Sequence, residues 1–211
     1  AFAAGVSLNI HPWKYISFSK SRMLSPDGQC KPFSKDANGY VPGDGVGVLL
    51  LQSLDQALED GNQIYGVVNG SAVNHGCDAP TITAPKINAQ RDVILSAYDD
   101  AGINPENVSY VEAHGTGTSL GDPIEIEALN KAFKHYTNAV NYCKIGSVKS
   151  NIGHLESAAG IAGVLKVILM MRNRTIPASL NINQLNPIIA FDKTPFSFPP
   201  AVCDWNPRTT R

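Results

Sequence analysis

The sequence has little charge and no excess of one sign. Only 17% of its 211 residues are charged, and 17 Lys and Arg against 18 Asp and Glu leave a net charge of -1. A general nucleic-acid binder carries a basic excess or a basic stripe, so this composition argues against that class. Hydrophobic residues make up 43%, which is typical of a globular protein with a well-buried interior.

Clustered cysteines and long apolar runs are also missing. The cysteines form no CxxC pair, so we expect neither a metal site nor a disulfide framework, and a reducing compartment fits. The most apolar stretch, residues 158–171, is interrupted by Lys166 and is too short for a membrane span, which favours a buried helix. No secretory signal is visible, and we expect a cytoplasmic protein with no membrane partner. The dispersed cysteines are Cys30, Cys77, Cys143 and Cys203.

Predicted strands and helices alternate along the chain, which favours a layered α/β fold. Beyond Arg172 the chain is rich in Pro and Asn, and we expect an extended segment that wraps the surface. Residues 156–171 carry small side chains on several faces, which predicts a central helix packed all round. The patterns predict strands at 1–10, 45–51 (buried), 65–73, 108–112 and 144–148, and helices at 15–23, 54–60, 87–101, 122 onward and 156–171.

Two glycine-rich turns carry a histidine each, in VEAHGTGT at residues 111–118 and GSVKSNIGH at 146–154. Each turn joins a predicted strand to a predicted helix, where α/β proteins present functional side chains. Two neutral imidazoles, His114 and His154, with Lys149 nearby suit a reaction that develops negative charge on a carbonyl oxygen. A helix N-terminus is expected to keep His154 neutral, and Glu125 is a candidate partner for a buried Lys149.

Other interpretations of these turns remain. His114 fits a structural turn histidine, and Lys149 fits a solvated loop lysine. The glycines at 115, 117 and 121 resemble a dinucleotide-binding loop, which would indicate a nucleotide-dependent oxidoreductase. Against this, the turn lacks the phosphate-binding lysine, and Asp122 at the predicted helix start would repel a phosphate. Asp122 is predicted as the N-cap of that helix, with Glu125 completing a capping box.

Several long motifs in a fixed order resemble the β-ketoacyl synthase (ketosynthase) domains of modular polyketide synthases. The motifs are FSKSRMLSPDG at 18–28, GYVPGDG at 39–45, both histidine turns, and LNP at 185–187. The resemblance implies a thiolase fold, a layered α-β-α-β-α architecture of two similar α/β halves. Residues 1–60 would be the end of the N-terminal half, and 64–211 the C-terminal half with a Pro-rich tail and without its closing strands.

The resemblance also implies a Cys-His-His site for decarboxylative Claisen condensation of an acyl thioester with malonyl-carrier protein. His114 and His154 would assist decarboxylation and hold the thioester oxygen, and Lys149, paired with Glu125, would hold that geometry. Thr116 and Thr118 would contact the phosphopantetheine arm of an acyl carrier protein. No cofactor is expected to bind permanently, and family members are homodimers.

The family's nucleophilic cysteine lies in a segment that would precede residue 1. We therefore expect a mid-to-C-terminal fragment that is inactive and poorly soluble without a partner segment bearing that cysteine. Cys77 is the best substitute in the sequence, but Asp78 beside it would raise the pKa of its thiol and no helix start follows to activate it. The alternative function is a condensation-silent module that binds acyl groups or carrier protein, or has a structural role.

Overall fold

The computed structural model describes residues 1–76 and 85–206. Within them, helices and strands alternate much as the apolar periodicity predicts. The strands are β1 (Phe2–Ser7), β2 (Gly45–Leu50), β3 (Tyr110–Glu112), β4 (Cys143–Gly146), β5 (Thr175–Ile176), β6 (Phe196–Ser197) and β7 (Cys203–Asp204). The helices are α1 (Pro12–Lys20), α2 (Leu54–Glu59), α3 (Ile87–Ala101), α4 (Gly121–Lys134), α5 (Lys149–Ile152) and α6 (Ala159–Asn173).

A parallel sheet in the order β3–β4–β6 forms the centre of the described molecule. Glu112 lies opposite Gly146, so β3 and β4 end at the same edge of the sheet. The carboxyl ends of parallel strands are where α/β folds place functional groups. This pairing therefore brings both histidine turns to one edge. The buried core beside the sheet contains Phe33, Ala113, Ile126, Leu129, Phe133, Cys143, Ile145, Phe191 and Phe196.

The Pro-rich segment does more than wrap the surface. Pro195 O accepts hydrogen bonds from Tyr142 and Cys143, and the segment then supplies β6 to the central sheet. Phe196 is fully buried and packs edge-to-face on Phe133 with ring centroids 5.0 Å apart. The prediction of a surface-wrapping segment is therefore wrong here, because aromatic side chains of the segment fill the core. The surrounding Pro and Asn residues hide this contribution in the sequence pattern.

An antiparallel pair, β1–β2, packs one face on α6. Glycines on this face permit the approach: a Cβ on Gly47 would stand 2.7 Å from Cγ2 of Ile161. The opposite face is exposed, with Val46 at 73% and Leu50 at 70%. The prediction that 45–51 is a buried strand is therefore wrong for the described molecule, in which only one face of β2 is covered.

Two further predictions differ from the structure. Residues 65–73 form no strand, because no described residue offers them a hydrogen-bonded ladder, and Val73 is 97% exposed. Helix α6 is not packed all round, since Leu169 is 55% exposed and a Cβ on Gly160 would meet nothing within 4 Å. Among the described helices, none is long and apolar enough to cross a membrane.

Candidate active site

The two histidine turns meet at a cavity of about 1310 Å³. The imidazole rings of His114 and His154 stand edge to face, with centroids 5.4 Å apart and planes at 86°. Thr116, Thr118 and Glu125 line the same cavity. The structure thus brings together five of the six residues that the sequence predicted for the site, and it places the sixth, Lys149, in the turn behind them.

His114 is held through its backbone by a carboxylate. Glu125 of α4 accepts the His114 N–H at 2.6 Å with one oxygen and the Gly115 N–H at 2.8 Å with the other. Gly115 has φ +44, and a Cβ there would stand 2.7 Å from Cβ of Ser147, so this position requires glycine. Burial raises the pKa of Glu125, whereas the two N–H donors oppose that rise.

His154 is fixed on both its backbone and its ring. Its N–H donates to Val41 O at 2.7 Å, and its carbonyl accepts the Gly43 N–H at 2.9 Å. Its Nδ1 accepts the Glu156 N–H at 2.9 Å. An imidazole nitrogen that accepts a hydrogen bond carries no proton, so neutral His154 holds its proton on Nε2. Glu156 has an unusual φ of +45, and its carboxylate forms an ion pair with Lys14.

Both imidazoles favour the neutral state. Burial lowers the pKa of His114 to about 4, and the nearby charge of Lys149 adds to the effect. The pKa of His154 is also lowered to about 4, first by burial and then by Lys149 and His114. His154 follows α5 and precedes the short turn Glu156–Ala158, and its ring accepts the first N–H of that turn. Burial is the largest cause of the lowered pKa of both rings.

Lys149 is only 4% exposed and lies at the first position of α5. Burial lowers the pKa of its ammonium, and the charges of Glu125 and then Glu112 oppose that effect. The predicted direct pair with Glu125 does not form between these two described residues: their charged atoms are not within 4.0 Å, and the carboxylate is occupied by backbone N–H groups. The two residues interact electrostatically across the site instead.

The predicted capping box is also wrong. Helix α4 begins at Gly121, one residue earlier, and Asp122 lies in its first turn with 1% exposure. The Asp122 carboxylate accepts the Phe33 N–H at 2.7 Å and the Gly117 N–H at 3.2 Å. These donors are the ones that a phosphate would need, so the nucleotide-loop interpretation finds no support here. Thr118 Oγ1 accepts the Gly121 N–H at 3.2 Å and lies 3.3 Å from Thr116 Oγ1.

None of the described cysteines is placed as an activated nucleophile. Cys143 is buried in β4, and Cys203 lies in β7. Cys30 is 3% exposed behind His154, where its sulfur accepts the Val41 N–H at 3.1 Å, and burial raises the pKa of its thiol. Cys77, the substitute considered from the sequence, lies outside the described residues.

The sequence reasoning missed three contributors to the site. Tyr40 is 6% exposed, and its ring centroid lies 4.9 Å from that of His154. Ser147 donates its hydroxyl to Gly115 O at 3.0 Å and so fixes one turn against the other. Glu112, the last residue of β3, accepts the Val148 N–H at 2.5 Å. Of these three residues, only Glu112 could have been anticipated from the sequence. Lys166 interrupts the apolar run at 158–171, and a buried lysine requires a partner such as a carboxylate.

Comparison with known proteins identifies the family. The β-ketoacyl synthase C-terminal domain model matches residues 65–183, and the N-terminal domain model matches residues 1–57. The chain therefore belongs to the β-ketoacyl synthase family. Among the described residues, no group of three or more His, Cys, Asp or Glu side chains could hold a metal ion.

Its relatives are polyketide synthases. The chain is 51% identical over 205 residues to polyketide synthase PksL of Bacillus subtilis, covering 97% of this chain and 4% of the relative. It is 49% identical over 206 residues to polyketide synthase ThaG of Burkholderia thailandensis, covering 97% of this chain and 4% of the relative. The chain thus spans a small part of these proteins.

Solved ketosynthase structures match it closely. The ketosynthase from module 6 of the bacillaene synthase of Bacillus subtilis superposes with a TM-score of 0.97 at 45% identity, covering 99% of this chain and 37% of that one. A Streptomyces albus oxazolomycin ketosynthase domain superposes with a TM-score of 0.95 at 43% identity, covering 98% of this chain and 37% of that one. The predicted thiolase fold, present as part of a ketosynthase domain, is confirmed.

Proposed function

We propose that this chain supplies the decarboxylating and carbonyl-polarising part of a ketosynthase that elongates polyketide chains. The observation that supports it is the pair of imidazole rings at one cavity, with centroids 5.4 Å apart and planes nearly perpendicular. Two N–H donors that converge on one small region suit an oxyanion that forms during reaction. Neutral rings are needed because they donate a hydrogen bond without the cost of burying a full charge.

The chemistry follows in two steps. The malonyl thioester loses carbon dioxide, and the electron pair of the broken C–C bond becomes an enolate on the remaining acetyl thioester. His154, with its proton on Nε2, and His114 stabilise the enolate oxygen. The enolate carbon then attacks the acyl thioester, a new C–C bond forms, and the cysteine thiolate leaves. That cysteine is supplied by a further ketosynthase segment.

The substrate arrives on the phosphopantetheine arm of an acyl carrier protein. Thr116 and Thr118 line the cavity, and we propose that they contact that arm. The arm is a substrate carrier and not a bound cofactor. The assembled ketosynthase is proposed to act as a homodimer, as its resemblance to that family implies.

Without the cysteine the chain is expected to be inactive in condensation. Decarboxylation forms no bond to that cysteine, so this step can be tested separately. The protein is incubated with malonyl-pantetheine, and conversion to acetyl-pantetheine is followed by mass spectrometry. We expect conversion above the buffer rate, and a loss of about 100-fold or more in His154→Ala and His114→Ala. His135→Ala, just beyond the C-terminal end of α4, is the matched control and should convert at the parent rate. Conversion that is equal in all variants would rule out the proposed roles.

The second candidate is a condensation-silent module that binds acyl groups or carrier protein. The buried, unactivated thiols of Cys30 and Cys143 favour it for this chain taken by itself. A reactive acyl-thioester analogue and intact-mass spectrometry distinguish the two. A covalent adduct that requires an added cysteine-bearing segment supports condensation, whereas binding without any adduct in its presence supports the silent module.

A further inference from the structure

A buried polar network joins α6 to the end of β3, outside the residues predicted for the site. Glu112 accepts the Tyr110 hydroxyl at 2.7 Å and the Lys166 ammonium at 2.7 Å on one oxygen. Its other oxygen accepts the Val148 N–H at 2.5 Å. The side chains of Glu112 and Lys166 are only 12% and 13% exposed.

Each side chain of the network has at least two hydrogen-bond partners. Lys166 also donates to the Tyr110 hydroxyl oxygen at 2.9 Å, and burial raises the pKa of Tyr110, so the phenol stays protonated and donates to Glu112. Gly163 faces the same carboxylate: a Cβ there would stand 3.3 Å from Cγ of Glu112. A buried ion pair of this kind contributes little net stability, because desolvation offsets the attraction. Stability alone therefore does not account for it.

The network ends on the turn that carries the candidate catalytic groups. Val148 immediately precedes Lys149, and the chain runs through α5 from there to His154. Glu112 itself lines the cavity beside His114. A shift of the Val148 backbone would therefore move Lys149 directly.

We propose that Glu112, held by Lys166, is a positioning residue that fixes the backbone at Val148, next to Lys149. In addition, the negative charge of Glu112 opposes the effect of burial on the Lys149 ammonium. The importance of Glu112 for catalysis rests on the proposed function. Its charge effect on Lys149 and its hydrogen bond to the Val148 backbone do not depend on that function.

Several titratable groups face Lys149. Glu112 lies on β3, Glu125 and Asp122 on α4, and Cys30 before β2. The imidazoles of His114 and His154 lie on its cavity side and are both affected by its charge. Among the carboxylates, Glu112 is the one tied to the Lys149 turn by a hydrogen bond to its backbone.

The first test measures Lys149 itself. The whole protein is labelled with ¹³C-lysine, the Lys149 signal is assigned by its loss in Lys149→Arg, and its titration is followed by NMR. In Glu112→Gln we expect the midpoint to fall by about one pH unit, since a nearby negative charge is removed. Glu127→Gln, the same change on an exposed residue of α4, is the control. Equal midpoints in the two variants would overturn the proposal.

The second test separates positioning from folding. Amide exchange at Val148 and malonyl-pantetheine decarboxylation are measured in Lys166→Met and Lys166→Arg, both with Glu112 intact. We expect Lys166→Met to exchange faster and to lose about tenfold in kcat with KM unchanged, and Lys166→Arg to restore both. Equal exchange in the two variants would contradict the anchor even if Glu112→Gln fails to fold. If the parent releases no carbon dioxide, the proposed function fails while exchange and titration still decide the inference.

Discussion

Two carboxylates of the site, Glu125 and Asp122, bind backbone N–H groups of neighbouring turns and do not form the predicted capping box of α4. Glu125 holds the His114 turn, and Asp122 ties Gly117 to Phe33. Burial raises the pKa of Asp122 to about 6, and the N–H donors oppose that rise. A carboxylate with several N–H donors fixes a turn more rigidly than a single ion pair, because each bond constrains a different peptide.

Replacing Asp122 should therefore loosen the turn. Asp122→Asn retains one acceptor oxygen and places an N–H₂ group against a backbone donor. We expect the free energy of unfolding to fall by about 1–3 kcal/mol, the cost of leaving a buried donor unsatisfied. Urea denaturation measures it, with Asp92→Asn on the exposed face of α3 as control. A loss no greater than that of the control would show that Asp122 does not hold this turn.

The lowered pKa values of the histidines predict a pH dependence of stability. Both have folded pKa values of about 4, below the ordinary value of 6.5. Between these values the unfolded chain binds more protons than the folded protein, so the free energy of unfolding falls as pH drops from about 6.5 to 4. Asp122, whose pKa is raised from 3.8 to about 6 in the folded protein, contributes the opposite slope between those two values.

A comparison of slopes isolates the histidines. Urea denaturation at several pH values between 4 and 7 should give a shallower dependence in His114→Gln/His154→Gln than in the parent, because Asp122 is present in both proteins. Identical slopes would mean that neither imidazole is desolvated in the folded state.

At the scale of single residues, the identities of the site residues could be predicted from the sequence, but their hydrogen-bond partners could not. His114, His154 and Lys149 follow strand ends, and strand ends meet at one sheet edge. Glu125 looks the same in sequence whether it caps its own helix or binds the neighbouring turn. The choice depends on where Gly115 lies in space, which spacing along the chain does not encode.

At the scale of secondary-structure elements, α6 contains two glycines that lie in different surroundings. Gly163 faces Glu112, with 3.3 Å between a built Cβ and its Cγ, whereas Gly160 faces open space. Replacing each glycine with alanine therefore separates the effect of packing on stability from the effect of helix propensity.

We expect Gly160→Ala to raise the free energy of unfolding by about 0.5–1 kcal/mol, through a smaller entropy loss on folding. Gly163→Ala should not show this gain, because Glu112 is held by three partners and cannot move aside. Thermal and urea unfolding of the two variants provide the measurement. Equal gains would mean that α6 does not pack closely on β3.

Element boundaries were predictable where a local signal marks them. Helix α3 ends at Ala101, before Gly102 with φ +61, as the sequence indicates. The structure of residues 65–73 was not predictable in this way. Alternating apolar side chains predict a strand whether or not a neighbouring strand is present to form hydrogen bonds with it. Segment 191–198 was hidden by its prolines, although Phe191 and Phe196 lie in the core.

At the scale of the whole molecule, one face of the β1–β2 pair is apolar and is left uncovered by the described residues. Phe2 lies opposite Leu50 and Val6 opposite Val46, and all of these side chains are more than half exposed. Contiguous apolar surface of this kind promotes association.

We expect Val46→Thr/Val48→Thr to reduce self-association of the protein without loss of folding, since threonine keeps β-branching and adds a hydroxyl. Light scattering and circular dichroism measure the two properties. Val164→Thr, on the exposed side of α6, is the matched control. An unchanged scattering curve in the double variant would show that another surface mediates association.

The bond from the Phe33 N–H to Asp122 joins positions 89 apart, and Asn181 reaches the Cys30 carbonyl from 151 positions away. Such contacts form only after long loops have closed, at an entropic cost that precedes any reward. The helices can form early and locally, but the cavity between the histidines requires these distant ties. During refolding, the geometry of the histidine site should therefore form later than the helices, and a chain on the ribosome should acquire this site only after residue 181 has emerged.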